Sequence, residues 1–158
     1  MALSLAVATP LPEGISPEDL SLALDAAEIA ADVTAAGQIS LALVDEKTAQ
    51  QLNKQYAGND YATDVLSFNY FEDEAEEPSQ EDTLGEVVIC LPIAQKQAEE
   101  YGQTLRSEIM LLFVHGLMHI FGFDHQSPDD QASFETAQGA ILSKLKINAR
   151  NIFDGNSR

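Results

Sequence analysis

The chain contains three histidines, and all of them lie in one short segment near its C-terminal end. From His115 to His125 the sequence is HGLMHIFGFDH, which follows the pattern HGxxHxxGxxH. Residues four apart on a helix share a face, so His115 and His119 can direct two imidazoles at one ion. Gly122 can adopt the left-handed conformation that ends a helix and returns the chain toward the same ion. The spacing therefore predicts a metal site with His115, His119 and His125 as ligands.

The ligand types favour zinc at this site. A lone histidine on an apolar helix face is usually a packed core residue, but three at metal-ligand spacing favour a site. Three imidazoles with one open position are typical of catalytic zinc, whereas structural zinc usually has four protein ligands. We expect one Zn²⁺ per chain, although nickel or copper would accept the same ligands. Such an ion can lower the pKa of a bound water to about 7 and make hydroxide available.

The residue beside the first histidine excludes a common class of zinc enzyme. In peptidases with the HExxHxxGxxH pattern, the glutamate next to the first histidine is the general base. Here that position is Gly116. The sequence therefore disfavours peptide hydrolysis and leaves other zinc chemistry open.

Composition describes the domain that must hold this site. The 158 residues, 45% of them hydrophobic, predict a single domain over 1–158 with no membrane span. The lone cysteine, Cys90, lies in an apolar run and suits a reducing compartment, so we expect a cytoplasmic protein. The net charge of −18 argues against a nucleic-acid partner when taken alone. Much of it falls in a predicted flexible acidic loop, 71–83, whereas four of the eight basic residues fall in the last fifteen positions, which include the predicted loose tail, 147–158.

Hydrophobic periodicity predicts strands alternating with helices and then helices alone. Strands are expected at Met1–Val7, 38–44, 65–68 and 84–90. Helices are expected after Ser16 (ending at Gly37), after Asp45, from Pro92 to Gly102, after Thr104, and from a cap at Asp129 or Asp130. The predicted fold is α+β, close to α/β: a small mixed four-stranded sheet packed with about five helices. The zinc site would lie on the central helix and the turn after it.

Three stretches of this chain together resemble one protein family. HGLMHIFGFDH resembles the HGxLHLxGYDH signature of the YbeY family, TDVLSF at 63–68 matches its strand motif, and LGEVVI at 84–89 is similar to its LGDIxI strand. The likeness spans residues from about 38 to 130. It implies a metal-dependent endoribonuclease for single-stranded RNA that matures the 3′ end of small-subunit (16S) ribosomal RNA and serves ribosome quality control. The implied partners are ribosomal RNA and the small ribosomal subunit, with no membrane and no DNA.

Cleavage of RNA would also need groups that move protons. The candidates for a general base are Asp124, Asp64 and Glu86. Asp124 precedes the third histidine, and we expect it to orient a ligand imidazole through a hydrogen bond. Asp64, directly before a strand, is more typical of a turn. The residues predicted to take part in catalysis are His115, His119 and Asp124.

The sequence departs from the family pattern at one position that bears on RNA. The family commonly has an arginine directly after the tyrosine that matches Tyr56, whereas this chain has Ala57. An arginine there would suit a phosphate clamp, a role that Lys54 or Arg106 would have to take here. Two other hypotheses therefore stay open: a zinc hydrolase of another phosphoester or amide, and a non-catalytic zinc-containing ribosome assembly factor.

Overall fold

A computed structural model describes residues 3–70, 79–123 and 127–147. Within those residues the chain forms four strands and five helices, which confirms the predicted α+β fold. The strands are β1 Leu3–Val7, β2 Gly37–Val44, β3 Val65–Asn69 and β4 Thr83–Cys90. The helices are α1 Pro17–Ala31, α2 Glu46–Ala57, α3 Leu91–Glu100, α4 Leu105–Ile120 and α5 Pro128–Lys144.

The strands form one mixed sheet in the order β1-β2-β4-β3. β1, β2 and β4 are parallel, and β3 runs antiparallel to β4 at the edge. The second halves of the central strands β2 and β4, 41–44 and 87–90, are entirely apolar, as strand segments covered on both faces must be. The sheet therefore offers a rigid surface on which a buried helix can lie.

α4 is that buried helix, and it occupies the centre of the molecule. It begins after Thr104, whose side chain caps the backbone N–H of Ser107. Twelve of its sixteen residues are buried. It packs on β3 and β4 and is enclosed by α1, α3 and α5. The prediction of a central core helix is confirmed.

Two helix boundaries differ from the sequence prediction. α1 ends at Ala31 because Asp32 adopts a left-handed conformation (φ 54°) and its N–H bonds back into the last turn. Gly37, the predicted end, instead begins β2, where a Cβ would lie 2.7 Å from the Leu84 side chain. α5 is capped by Ser127, whose side chain accepts the N–H of Asp130 at 3.1 Å.

The predicted loop and tail fall mostly outside the described residues. Positions 71–78 lie outside them, and β4 begins at Thr83. Ile147, the first residue of the predicted tail, is buried in the core, and 148–158 lie outside the described residues. In the ranges that the structure covers, every helix is too short or too polar to cross a bilayer.

Candidate metal centre

His115 and His119 face each other on the last two turns of α4. Their Nε2 atoms are 3.2 Å apart, and their rings meet edge to face with centroids 4.8 Å apart. His115 is fully buried, and His119 is partly buried. The predicted pairing of two imidazoles on one helix face is therefore present in the structure.

The spacing of the two nitrogens fits a shared zinc ion. Two Zn–N bonds of about 2.0–2.1 Å at a tetrahedral angle place their nitrogens about 3.3–3.4 Å apart. In metal-free protein the same spacing allows an N–H of one ring to donate to the other. His125 and Asp124 lie outside the described residues, and no three potential ligands among the described residues converge on one point. The two histidines thus fit part of a zinc ligand set.

Helix α5 packs directly against both imidazoles. Oε1 of Gln138 lies 3.1 Å from Nδ1 of His115, and both residues are buried. The ring of Phe134, one turn earlier, lies 5.0 Å from the His115 ring and 5.1 Å from the His119 ring. The sequence motifs predict a role at the site for neither Phe134 nor Gln138. A glutamine four residues after a phenylalanine, on the apolar face of a helix, is the sequence signal that could have indicated them.

The turn after α4 has the glycine conformation that the sequence predicts. Gly122 has a φ of +96°, and its N–H donates to the carbonyl of His119 at 3.2 Å. The N–H of Phe123 donates to the carbonyl of Met118 at 2.9 Å, which completes a Schellman motif. The chain therefore turns away from the helix axis three residues after His119.

Gly116 faces the sheet. A Cβ at this position would lie 2.8 Å and 3.0 Å from the two methyl carbons of Val87 on β4. Real side chains essentially never approach so closely, and the valine is branched at its own Cβ and cannot swing away. The position that holds the catalytic glutamate in HExxH peptidases has no room for a side chain here.

Glu86 lies on the wrong face of the sheet to act beside these histidines. Gly85 and Val87, its neighbours in β4, face Ile120 and Gly116 of α4. Because side chains alternate along a strand, Glu86 projects from the opposite face. There its carboxylate accepts hydrogen bonds from the hydroxyls of Tyr70 (3.2 Å) and Ser40 (3.4 Å).

The Asp64 side chain stabilises the start of β3 through hydrogen bonds. Its buried carboxylate accepts the N–H of Val65 at 2.8 Å and the side-chain N–H of Gln97 at 3.3 Å. The other end of β3 is the one next to the metal centre, where the Asn69 side chain donates to the carbonyl of Ile120 at 3.1 Å. The structure does not bring Asp64 to the histidines.

The two cations suggested as a phosphate clamp, Arg106 and Lys54, each lie beside a carboxylate. Arg106 is in the first turn of α4 and forms a salt bridge with Asp19 of α1 at 3.0 Å. It is thirteen residues before His119, which is about 20 Å along a helix axis. Lys54 lies 3.9 Å from Asp60, with both side chains well exposed. Arg106 is therefore too distant to contact a phosphate at the histidine pair.

Comparison with solved structures supports the fold. A protein of Thermotoga maritima, known from a solution structure, superposes with a TM-score of 0.54 over 90% of this chain and 92% of its own. The two sequences are 22% identical, so this likeness concerns the fold alone. This chain and that protein are thus α+β proteins of one architecture.

Sequence comparison identifies the family. The family model described as Endoribonuclease YbeY matches residues 16–146. Relatives of that name include a Desulforamulus reducens protein, 42% identical over 113 residues (70% of this chain, 74% of its own). The Moorella thermoacetica protein is 40% identical over 133 residues, covering 81% and 85% of the two chains. The chain belongs to the YbeY family, which confirms the resemblance carried by its three motifs.

Proposed function

We propose that this protein is a zinc-dependent endoribonuclease that cleaves single-stranded RNA at a centre built from His115, His119 and His125. The observation that supports it most is the pair of Nε2 atoms 3.2 Å apart on a buried helix. Its relatives carry the name Endoribonuclease YbeY. A preorganised pair of imidazoles on a rigid element suits a catalytic ion better than ligands on a loop would.

The proposed mechanism divides the work between the ion and the chain. When bound, a zinc ion would stabilise the negative charge that develops on phosphate oxygens during cleavage. His115 and His119 would fix its position, and Phe134 would limit the water that reaches their rings. Glu86 and Asp64 bond to other groups, away from the histidines. We therefore assign the proton-accepting or ligand-orienting role to Asp124.

The proposed biological role follows from the family. It is maturation of the 3′ end of small-subunit ribosomal RNA and quality control of ribosomes, with ribosomal RNA and the small subunit as partners. Cytoplasmic action would suit the free thiol of Cys90, which is buried. Burial raises the pKa of that thiol, so it stays protonated and therefore unreactive.

Cleavage of a labelled single-stranded RNA tests the proposal. We expect cutting by the protein as purified, and a loss of at least about a hundredfold in the His115→Ala variant and after removal of metal by a chelator. Restoring zinc to the chelated protein should restore cutting, but restoring it to the variant should not. Far-UV circular dichroism of both samples controls for unfolding.

The other possible outcomes of this experiment distinguish the alternative functions. Equal background cutting in all samples would contradict the nuclease and favour the non-catalytic assembly factor. A bound ion with no RNA cleavage, but with hydrolysis of a small phosphodiester, would favour a different zinc hydrolase. Less than about half an equivalent of metal in freshly purified protein would count against the site itself.

A further inference from the structure

We propose that Gln138 is the positioning residue for His115, fixing the imidazole tautomer that leaves Nε2 able to bind metal. The inference rests on the proposed metal centre and names a residue that acts through one of its ligands. Its basis is a single buried contact, 3.1 Å between Gln138 Oε1 and His115 Nδ1. The two residues are 23 positions apart and lie on different helices.

The chemistry of the two groups decides the direction of the hydrogen bond. An amide oxygen only accepts, so Nδ1 of His115 must carry the proton in this contact. A neutral imidazole has one proton, so Nε2 then presents a lone pair. That lone pair faces Nε2 of His119 at 3.2 Å, where a shared ion would lie. Gln138 therefore selects the tautomer that metal binding requires.

Packing makes this selection rigid. His115 and Gln138 are 0% and 4% exposed, so water cannot readily replace the amide oxygen. Phe134 lies one turn before Gln138 on the same face of α5 and contacts both imidazole rings. The ring of His115 is thus held by an acceptor on one side and an aromatic ring on another.

A neutral acceptor also suits the buried surroundings. A carboxylate in this place would accept the same N–H but would bring a charge into the core, which is costly. The amide supplies the acceptor without that charge. The sequence predicts the orienting role for Asp124. The structure places an acceptor from α5 on His115, which leaves Asp124 available for another ligand or for the substrate.

Nitrogen NMR of metal-free protein with ¹⁵N-labelled histidine tests the tautomer directly. At about pH 8.5, two units above the ordinary imidazole pKa, each neutral ring reports which nitrogen carries the proton. Only three histidines contribute signals, and His115→Ala assigns one of them. We expect the Nδ1–H form in the natural protein and in Gln138→Glu, and a mixed or Nε2–H form in Gln138→Leu. Gln138→Met replaces the leucine variant if that variant does not fold.

A core substitution on the same helix is the control. Ile141→Val removes a buried methylene but leaves the Gln138 contact in place, so it should keep the Nδ1–H tautomer. An Nε2–H tautomer in the natural protein would overturn the proposal. So would an unchanged tautomer in a folded Gln138→Leu or Gln138→Met variant.

Zinc affinity, measured by competition with a chelator, gives a second readout. We expect Gln138→Leu to weaken binding by about tenfold to a hundredfold, the usual cost of losing such a partner. Gln138→Glu and Ile141→Val should stay within about threefold of the natural protein. Equal affinity in all variants would overturn the positioning role. Neither readout uses RNA, so absence of nuclease activity would refute the proposed function and leave this result standing.

Discussion

Gly116 links the sequence of the metal motif to the packing of the core. Its missing side chain lets α4 approach β4 so closely that a Cβ would meet the Val87 methyl carbons at 2.8 and 3.0 Å. Close packing of this kind leaves no spare volume for a methyl group. The close packing of α4 on β4 thus requires glycine next to the first histidine. The same glycine also removes the general base that HExxH peptidases use.

Substituting alanine at two helical glycines tests this packing. Gly116→Ala should destabilise the protein by about 1–3 kcal/mol, because overpacking outweighs the better helix propensity of alanine. Gly139→Ala is the matched control, since Gly139 in α5 has nothing within 4 Å of its Cβ position. That variant should stabilise by about 0.5–1 kcal/mol. Chemical denaturation of both variants checks the pair.

A second substitution tests whether contact with Val87 causes the loss of stability in Gly116→Ala. Val87→Ala in the Gly116→Ala background should recover part of the lost stability, because the two methyl carbons that clash are removed. Loss of stability that simply adds between the two substitutions would contradict the close approach.

Residues of the site differ in how far the sequence could predict them. The pairing of His115 and His119 follows from helix geometry alone, because they are one turn apart. The contact between Gln138 and His115 joins positions 23 apart and depends on how α5 docks, which local patterns do not specify. For the same reason, only the structure could show that Glu86 faces away from α4.

At the scale of elements, α1 is tied to the start of α4 by one aspartate. Asp19 completes a capping box with Ser16, and its carboxylate also accepts two hydrogen bonds from Arg106, at 3.0 and 3.3 Å. The hydrogen bond from Arg106 and the backbone N–H of Ser16 lower the pKa of Asp19 below its ordinary value. Asp19 therefore stabilises the fold in its ionised form.

Because folding lowers the pKa of Asp19, the stability that this residue adds depends on pH. A carboxyl group whose pKa is lowered by folding adds stability above its unfolded pKa and loses it as the pH falls through the folded value. Asp19→Asn should cost about 1 kcal/mol at pH 7, and the difference should be smaller at a pH well below 3.8, the ordinary aspartate pKa value. Urea denaturation at both pH values measures it, with Asp25→Asn as the control. A difference that does not change with pH would contradict the ionic role.

The helix and strand types were predictable because their determinants are local. Asp45 and Thr104 cap α2 and α4 as predicted, each accepting the N–H of a residue three positions later. The two helix boundaries that were predicted wrongly depend on which of several nearby residues caps the helix. α1 ends at Ala31 because Asp32, a residue type that adopts a left-handed conformation less readily than glycine, caps it, and α5 is capped by Ser127 and not by the aspartates that follow it.

At the scale of the whole molecule, the net charge of −18 opposes an RNA substrate. Seven of the eleven residues from Glu72 to Asp82 are acidic. Most RNA-binding proteins bind more weakly as salt rises, because salt competes with their basic surfaces for phosphates. A strongly acidic protein should show the opposite trend at low salt, since added ions screen its repulsion of the RNA.

The salt dependence of RNA cleavage therefore has a predicted sign. We expect kcat/KM for a single-stranded RNA to rise as salt increases from about 0.01 to about 0.15 M, while the screening length falls from about 30 to about 8 Å. Replacing the acidic residues of 72–82 with their amides should flatten this rise. A fall in kcat/KM over the same range would show that local cations, and not the overall charge, control RNA binding.

The central claim is that one zinc ion held by the histidine motif cuts RNA, and a zinc titration tests it most directly. Metal-free protein at a concentration well above the zinc dissociation constant would receive zinc in steps, with the initial rate of RNA cleavage measured at each step. The account predicts a rate that rises in proportion to added zinc and stops rising at about one equivalent per chain. Cleavage at full rate before any zinc is added, or no cleavage after one equivalent has bound, would contradict it.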